Sequence, residues 1–259
     1  MRLKCFGCVA ALFALTLGAV ELQTAGELLV DLDASTLEGY SEGSNVELWP
    51  NAGTQPDFAR TDTSKSPTYR IRNGAPAVRF AGSSSGSMTN NVPVPDSLNG
   101  NSAWTVEGWV APTQKQTDIH YFLSTPYYRG GADTAYRRWA FRLDEKTDRY
   151  AVEHNSYQLY WGRRDPENVI YLPVVGKWHH VCVVHEASGY ERVYVNGRVA
   201  YVGNTPLDLS NEDPSYFIIS GIYRVSTSKW ERQCYADIGR IRIQTGALTA
   251  AQVIANYNA

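Results

Sequence analysis

The stretch "GKWHHVCVVHEASGYERVYVNGR" (Gly176–Arg198) holds three of the chain's five histidines and one of its four cysteines, residue types that ligate metals and attack carbonyls. Its period points to a sheet rather than to a metal centre. On a strand, Trp178, His180, Cys182 and Val184 face one side and His179, Val181, Val183 and His185 the other, so the adjacent histidines cannot converge on one ion. Ala187, Ser188 and Gly189 turn the chain, "YERVYV" returns it, and Asn196-Gly197 is a two-residue hairpin signal, because a type I′ turn needs φ > 0 at both central positions. The stretch therefore predicts a three-stranded meander, with His180 a packed, hydrogen-bonded strand residue that lacks the nucleophile or carboxylate partner that catalysis needs.

The same alternation recurs in "WTVEGWV" (Trp104–Val110), "RWAFRL" (Arg138–Leu143) and "IGRIRI" (Ile238–Ile243), with Gly, Asn, Asp and Pro clusters between them, which predicts an all-β sandwich. The Ser-rich "AGSSSGSMTNN" (Ala81–Asn91) reads as a surface loop. A single helix is expected near the C-terminus: Thr249 and Gln252 form a capping box, and Val253, Ile254 and Tyr257 would share its buried face.

A chain of 259 residues, 43% hydrophobic and 19% charged, can bury a large core. The net charge of −2 gives no footprint for nucleic acid or an anionic membrane. Arg2 and Lys4 precede an apolar run, Phe6–Val20, too short to span a bilayer, which reads as a signal peptide over residues 1–26, cut within 19–26, followed by one domain over 27–259. The expected location is secreted, periplasmic or extracellular, without membrane insertion. Removing the signal leaves Cys182 and Cys234, and in an oxidising compartment the expectation is a disulfide between them.

"GKWHHVCVVHE…RVYVNGR", with "AWTVEGWV" before it and "ADIGRIRIQTGALTAAQVIANY" after it, resembles the laminin-G-like jelly-roll domains of the concanavalin A-like lectin/glucanase superfamily. So does the opening "LLVDLDASTL…GSNVELWPNAG…PTYR…GAPAVRF". The resemblance covers nearly all of the mature chain and implies two facing antiparallel sheets, one with a concave side for a ligand, and a short C-terminal helix. The superfamily holds lectins, hydrolases, lyases and adhesive spacers, so function must come from side chains.

Relatives similar to laminarinases carry Glu-x-Asp-x-x-Glu on one strand, a spacing absent here, so Glu107 stands alone and reads as a hydrogen-bonding residue, a sugar contact together with Trp109, or a solvated strand residue. Lyase relatives pair a Tyr with a His near a group that neutralises a uronate, which leaves His120 and Tyr121 as the alternative catalytic pair. Relatives often hold a structural calcium, for which the last strand offers Asp237. The middle of the chain is distinctive: eleven aromatic residues fall between Tyr121 and Trp161, and eight basic residues against five acidic ones between Arg129 and Arg164. Aromatic faces stack on sugar rings and guanidinium groups fork onto carboxylate or sulfate. Strand period in "YRRWAFRLDE" sends Trp139, Phe141 and Leu143 to the core and Arg138 and Arg142 to the other face, while "YQLYWGRR" offers Tyr160 or Trp161 beside Arg163 and Arg164. The resulting expectation is a non-catalytic, lectin-like protein for an acidic or sulfated polysaccharide. The competing readings are a polysaccharide lyase or hydrolase, and an adhesive domain whose partner is a protein.

Overall fold

The computed structural model of the chain describes residues 21–98, 102–114, 119–126, 139–144, 149–154, 157–162, 174–204 and 216–259, with the backbone alone given for 139, 142–144, 149–154 and 157–162. In chain order the first strands are β1 (Leu28–Asp33), β2 (Leu48–Trp49), β3 (Phe58–Arg60), β4 (Thr68–Arg72), β5 (Ala75–Ala81) and β6 (Met88–Thr89). β7 (Trp104–Pro112), β8 (Ile119–Ser124), β9 (Trp139–Asp144), β10 (Arg149–His154), β11 (Tyr157–Gly162), β12 (His179–His185), β13 (Tyr190–Val195) and β14 (Arg198–Asn204) follow. β15 (Ile218–Ile219), β16 (Ile222–Arg224), β17 (Lys229–Glu231), β18 (Tyr235–Gln244) and helix α1 (Ala250–Asn258) complete the described chain.

These form the expected all-β sandwich. The first sheet runs β14-β13-β12-β7-β18-β5-β4, with β1 also paired to β18; the second runs β11-β10-β9-β8-β15-β6-β3-β2; β16 and β17 make a separate hairpin. One edge of β18 pairs with β7, while the other is shared between β5 and β1. Among the described residues no helix is long and apolar enough to cross a membrane.

The meander forms as its period requires. Val181, Val183, Val193 and Val195 enter the core between the sheets, against Phe122, Phe141 and Trp49, while Cys182, Val184 and Tyr194 face outward under Leu248 and Val253. Asn196 and Gly197 take φ values of 51° and 71°, the left-handed pair of a tight hairpin turn. A side chain at 197 would also meet Tyr257, since an added Cβ lies 2.9 Å from its ring. The capping box forms: Thr249 N–H donates to Gln252 Oε1 at 2.9 Å and Gln252 N–H to Thr249 Oγ1 at 3.3 Å.

Three expectations are corrected. Cys182 and Cys234 are both buried free thiols, not a disulfide. Cys182 lies in the cluster beneath α1 and Cys234 in the core between the sheets, so the first sheet separates them. Burial pushes the Cys182 thiol well above its ordinary value, with the Glu107 charge adding to it, and pushes Cys234 up to about 12. The buried face of α1 is Val253 and Asn256, while Ile254 and Tyr257 are 45% and 42% exposed, because Asn256 supplies hydrogen bonds to a buried carboxylate. Finally, "AGSSSGSMTNN" is largely interior: Ser85, Ser87 and Met88 are buried, Met88–Thr89 is a strand of the second sheet, and Ser85 Oγ both accepts from Ala81 N–H at 2.8 Å and donates to Gly82 O at 3.1 Å.

Candidate functional site

Ser85 could be buried there because its hydroxyl found backbone partners, whereas Ser87 Oγ has none among the described residues, and the same accounting sorts the expected site residues. Glu107 is fully buried on the outer face of the first sheet. It accepts from Arg242 Nη1 at 2.7 Å and from Asn256 Nδ2 at 3.1 Å, and lies 3.3 Å from His180 Nε2. Arg242 also donates to Gln23 O at 2.9 Å and Thr24 Oγ1 at 2.7 Å, so the chain before β1 closes the cluster. His180 thus has the carboxylate partner that its sequence context did not show. The cluster lies beneath α1 and holds the helix and residues 23–25 to the sheet; Glu107 is out of reach of a sugar. Trp109, from the same strand, is half-buried with its ring 4.4 Å from His180 and lines a surface cleft.

Asp237 is equally spoken for. Arg79 donates to its two oxygens at 2.7 and 2.9 Å, and Arg72 donates to it as well. Hydrogen bonding to this carboxylate raises the Arg79 pKa. Two guanidinium groups occupy the position where calcium was expected and repel a cation there, and among the described residues no cluster of three His, Cys, Asp or Glu side chains could hold a metal.

His120 and Tyr121 point to opposite faces of β8. The His120 Nδ1 lies 2.6 Å from Gln233 O and its ring packs edge-on against Tyr235 at 5.7 Å. Tyr121 is fully buried with Ala140 and Ile222, its hydroxyl 3.4 Å from Arg232 Nη1. The two side chains cannot act together on one substrate.

Ile222 belongs to the β16–β17 hairpin, which lies over the outer face of the second sheet and was not anticipated. Tyr223 and Trp230 are direct cross-strand partners, half-buried, with ring centroids 5.0 Å apart at 48°. Because Ile222 packs down on Tyr121, the alternation turns Tyr223 and Trp230 to the side away from the sheet. Arg224 pairs with Glu231 at 2.9 Å, Lys229 is exposed, and Arg232 follows. The backbone here is strained. Six described non-glycine residues have positive φ; three are asparagines, which tolerate it, and the others are Ser220 (64°), Ser228 (52°) and Arg232 (58°), all in or beside this hairpin.

Of the expected ligand residues, Arg138, Arg163 and Arg164 lie outside the described residues, as do the side chains of Arg142, Tyr160 and Trp161. The backbone register still aligns some of them. Tyr121, Arg142, Ala151 and Tyr160 are successive partners across β8, β9, β10 and β11, whereas Trp161 falls in the neighbouring row with Tyr150 and Leu143. Phe141 enters the core and Ala140 the opposite cluster, as the strand period requires.

An aromatic pair with cations beside it can stack on the apolar face of a sugar and attract its charges. Known structures share this sandwich. The Trypanosoma rangeli sialidase, in complex with 2,3-difluoro-KDN, aligns with a TM-score of 0.57 at 13% identity over 89% of this chain, which spans only 32% of the sialidase. Domain 4 of AbnA, a GH43 extracellular arabinanase from Geobacillus stearothermophilus in complex with arabinotriose, aligns at 0.53 and 17% identity, over 90% of this chain and 99% of that domain. The binding domain of Paraclostridial Mosquitocidal Protein 1 aligns at 0.60 and 13% identity, over 90% of this chain and 52% of that one. At such identities the likeness is one of fold. No curated protein sequence matches the chain. A laminin-G-type family model, described as the concanavalin A-like lectin/glucanases superfamily, matches residues 84–254, more than half of the sequence, and the chain belongs to that superfamily.

Proposed function

We propose that the protein is a secreted, non-catalytic carbohydrate-binding domain whose ligand is an acidic or sulfated polysaccharide, bound across the outer face of the second sheet. The observation that carries this reading is the outward Tyr223–Trp230 pair on a strained hairpin, with the exposed Lys229 adjoining Trp230 in the strand. It is supported by the shared row that sets Arg142 and Tyr160 in the sheet beneath, and by the basic sequence around them. Structures of the same fold include a domain solved with arabinotriose and a sialidase solved with sialic acid. The separation of His120 from Tyr121 argues against the lyase reading, and the burial of Glu107 against its use in hydrolysis. The N-terminal apolar run supports export. Processing before Gln23 fits that reading, since a cut at Ala25 or Gly26 would remove the oxygens that satisfy Arg242.

The test is affinity electrophoresis in gels cast with alginate, heparin or a neutral control glucan. Wild type should be retarded by the anionic gels, less so as salt rises, because exposed charges are screened within a Debye length of about 8 Å at physiological ionic strength. The Tyr223→Ala/Trp230→Ala variant should migrate as in an empty gel with its melting temperature kept. No retardation of wild type in any anionic gel refutes the ligand class, and ultraviolet-absorbing unsaturated ends in the gel would establish the lyase reading instead.

A further inference from the structure

The outer face of the first sheet carries a second feature that the hairpin does not explain. A cavity of ≈ 580 Å³ opens between that face and the C-terminal end of α1, lined by Trp109, Trp178, Pro76, Gly239, Arg240 and Asp33. Its size falls within the range of about 300–1,000 Å³ found for small-molecule sites. Its floor is bare because residue 239 is glycine: an added Cβ would lie 3.3 Å from the Trp178 indole and fill the space beneath it. Both indoles are fixed before any ligand arrives. Trp178 Nε1 donates to Arg72 O at 3.3 Å, and Trp109 packs on His180. Little side-chain freedom is left for a ligand to remove.

The charges of the polar wall are paired. Arg240 donates to both oxygens of Asp31 at 2.7 Å and sits 2.9 Å from Asp33 Oδ2, while Arg242 serves Glu107 and approaches Asp31 at 3.7 Å. Of the residues that line the cleft only Arg240 and Asp33 carry charged side chains, and they are paired with each other, which leaves the wall without a net charge. An anionic ligand finds no unpaired cation there. Indole faces suit the C–H face of a sugar ring, and carboxylate oxygens accept from hydroxyls.

We propose that this cleft is a second ligand site and that it takes a neutral saccharide unit of mono- or disaccharide size, independently of the anionic glycan at the hairpin. The proposal rests on the carbohydrate-binding reading above, but on different residues. The anion-binding face and the neutral site lie on opposite sides of the sandwich, so one protein could bridge two polysaccharides or two regions of one.

The experiment titrates the processed, exported protein with cellobiose, lactose, maltose and arabinotriose, read by tryptophan fluorescence and calorimetry. Ser35→Phe fills the cleft from an exposed position without deleting any wall, and Trp178→Ala removes one. At least one of these sugars should bind wild type with no dependence on salt. Ser35→Phe and Trp178→Ala should each weaken it by about tenfold or more, a loss of about 1.4 kcal/mol or greater, and Tyr223→Ala/Trp230→Ala should leave it unchanged. Binding that survives Ser35→Phe, or that disappears with the hairpin variant, overturns the cleft while leaving carbohydrate binding intact. Silence of all four sugars overturns it too, and the anionic gels then report separately on the hairpin face.

Discussion

Replacing Glu107 by leucine should destabilise the fold heavily, and replacing Arg242 together with it should restore most of the loss. Glu107 is fully buried and Arg242 is 2% exposed, so neither can turn to water when its partner is removed. Breaking a buried ion pair from one side leaves an uncompensated charge and costs about 3–5 kcal/mol. The lower end applies here, because Arg242 keeps Asp31 at 3.7 Å and Asn256 keeps Gln23 O at 3.1 Å after Glu107 is gone. For a domain of this size each kcal/mol is worth about 2–4 °C, so Glu107→Leu should melt about 6–12 °C below wild type. In Glu107→Leu/Arg242→Met neither charge remains, and stability should return to within about 2 kcal/mol of wild type. Urea denaturation of the four proteins of the cycle, followed by far-UV circular dichroism, gives the coupling directly. A loss below about 1 kcal/mol for the single variant, or none of it recovered in the double, refutes the reasoning. Weakened glycan binding by a Glu107→Leu protein of unchanged stability would return Glu107 to the ligand-contact role that its strand suggests.

Cys182 and Cys234 should alkylate as two free thiols once the non-reduced protein is denatured, and reductant should leave the melting temperature unchanged; mass spectrometry that finds them joined contradicts the placement of the two on opposite sides of the first sheet. Glu191 is fully buried, both carboxylate oxygens lack a hydrogen-bond partner among the described residues, and desolvation raises its pKa well above the ordinary range. The folded state therefore binds this proton more tightly than the unfolded chain, so the contribution to stability is complete below the unfolded value of about 4.3 and is lost as pH rises through the folded one. Glu191→Gln should flatten that fall and Glu191→Leu should gain about 1–3 kcal/mol at pH 8; a pH–stability curve parallel to wild type in both would show the carboxyl to be ionised in the fold.

Much of the sandwich was legible because its signals are local. Alternation assigned the faces of β12 and of Ala140 and Phe141, Asn196-Gly197 fixed a turn, and Thr249 with Gln252 fixed a helix start. The hairpin was not legible for an equally local reason. "IYRVSTSKWER" (Ile222–Arg232) turns through Val225, Ser226, Thr227 and Ser228 without Gly, Asn or Pro, and Ser228 takes the left-handed conformation against its preference. The pair of aromatics flanking a Ser/Thr turn was the available sign. That Glu107 would be hydrogen-bonded was foreseen, but its partners were not legible because they are remote: Arg242 and Asn256 are 135 and 149 positions away, and a register shift between Ile238 and Arg240 decides what faces what.

That register explains why so many charges could be buried on one face. Asp31 on β1 is the direct partner of Arg242 on β18, Arg242 is in turn the partner of Glu107 on β7, and Glu107 that of Cys182 on β12. Asp33 pairs with Arg240 in the same way, and Asp237 with Arg79 on β5. Each carboxylate thus meets an arginine across the ladder. A slip of one residue along β18 would set isoleucines against these carboxylates and turn arginines into the core, a cost far above that of any exposed pair. Valine and isoleucine alone would specify the faces of these strands but could slide by two residues with little penalty, since alternation has a period of 2. The arginine pairs remove that freedom. They also explain why Asp237 needs no calcium, since Arg72 and Arg79 already neutralise it. These charges of β1, β5, β7 and β18 are committed to registration, which leaves, among the described residues, the aromatic surfaces, Tyr223 with Trp230 on one side and Trp109 with Trp178 on the other, to offer a ligand.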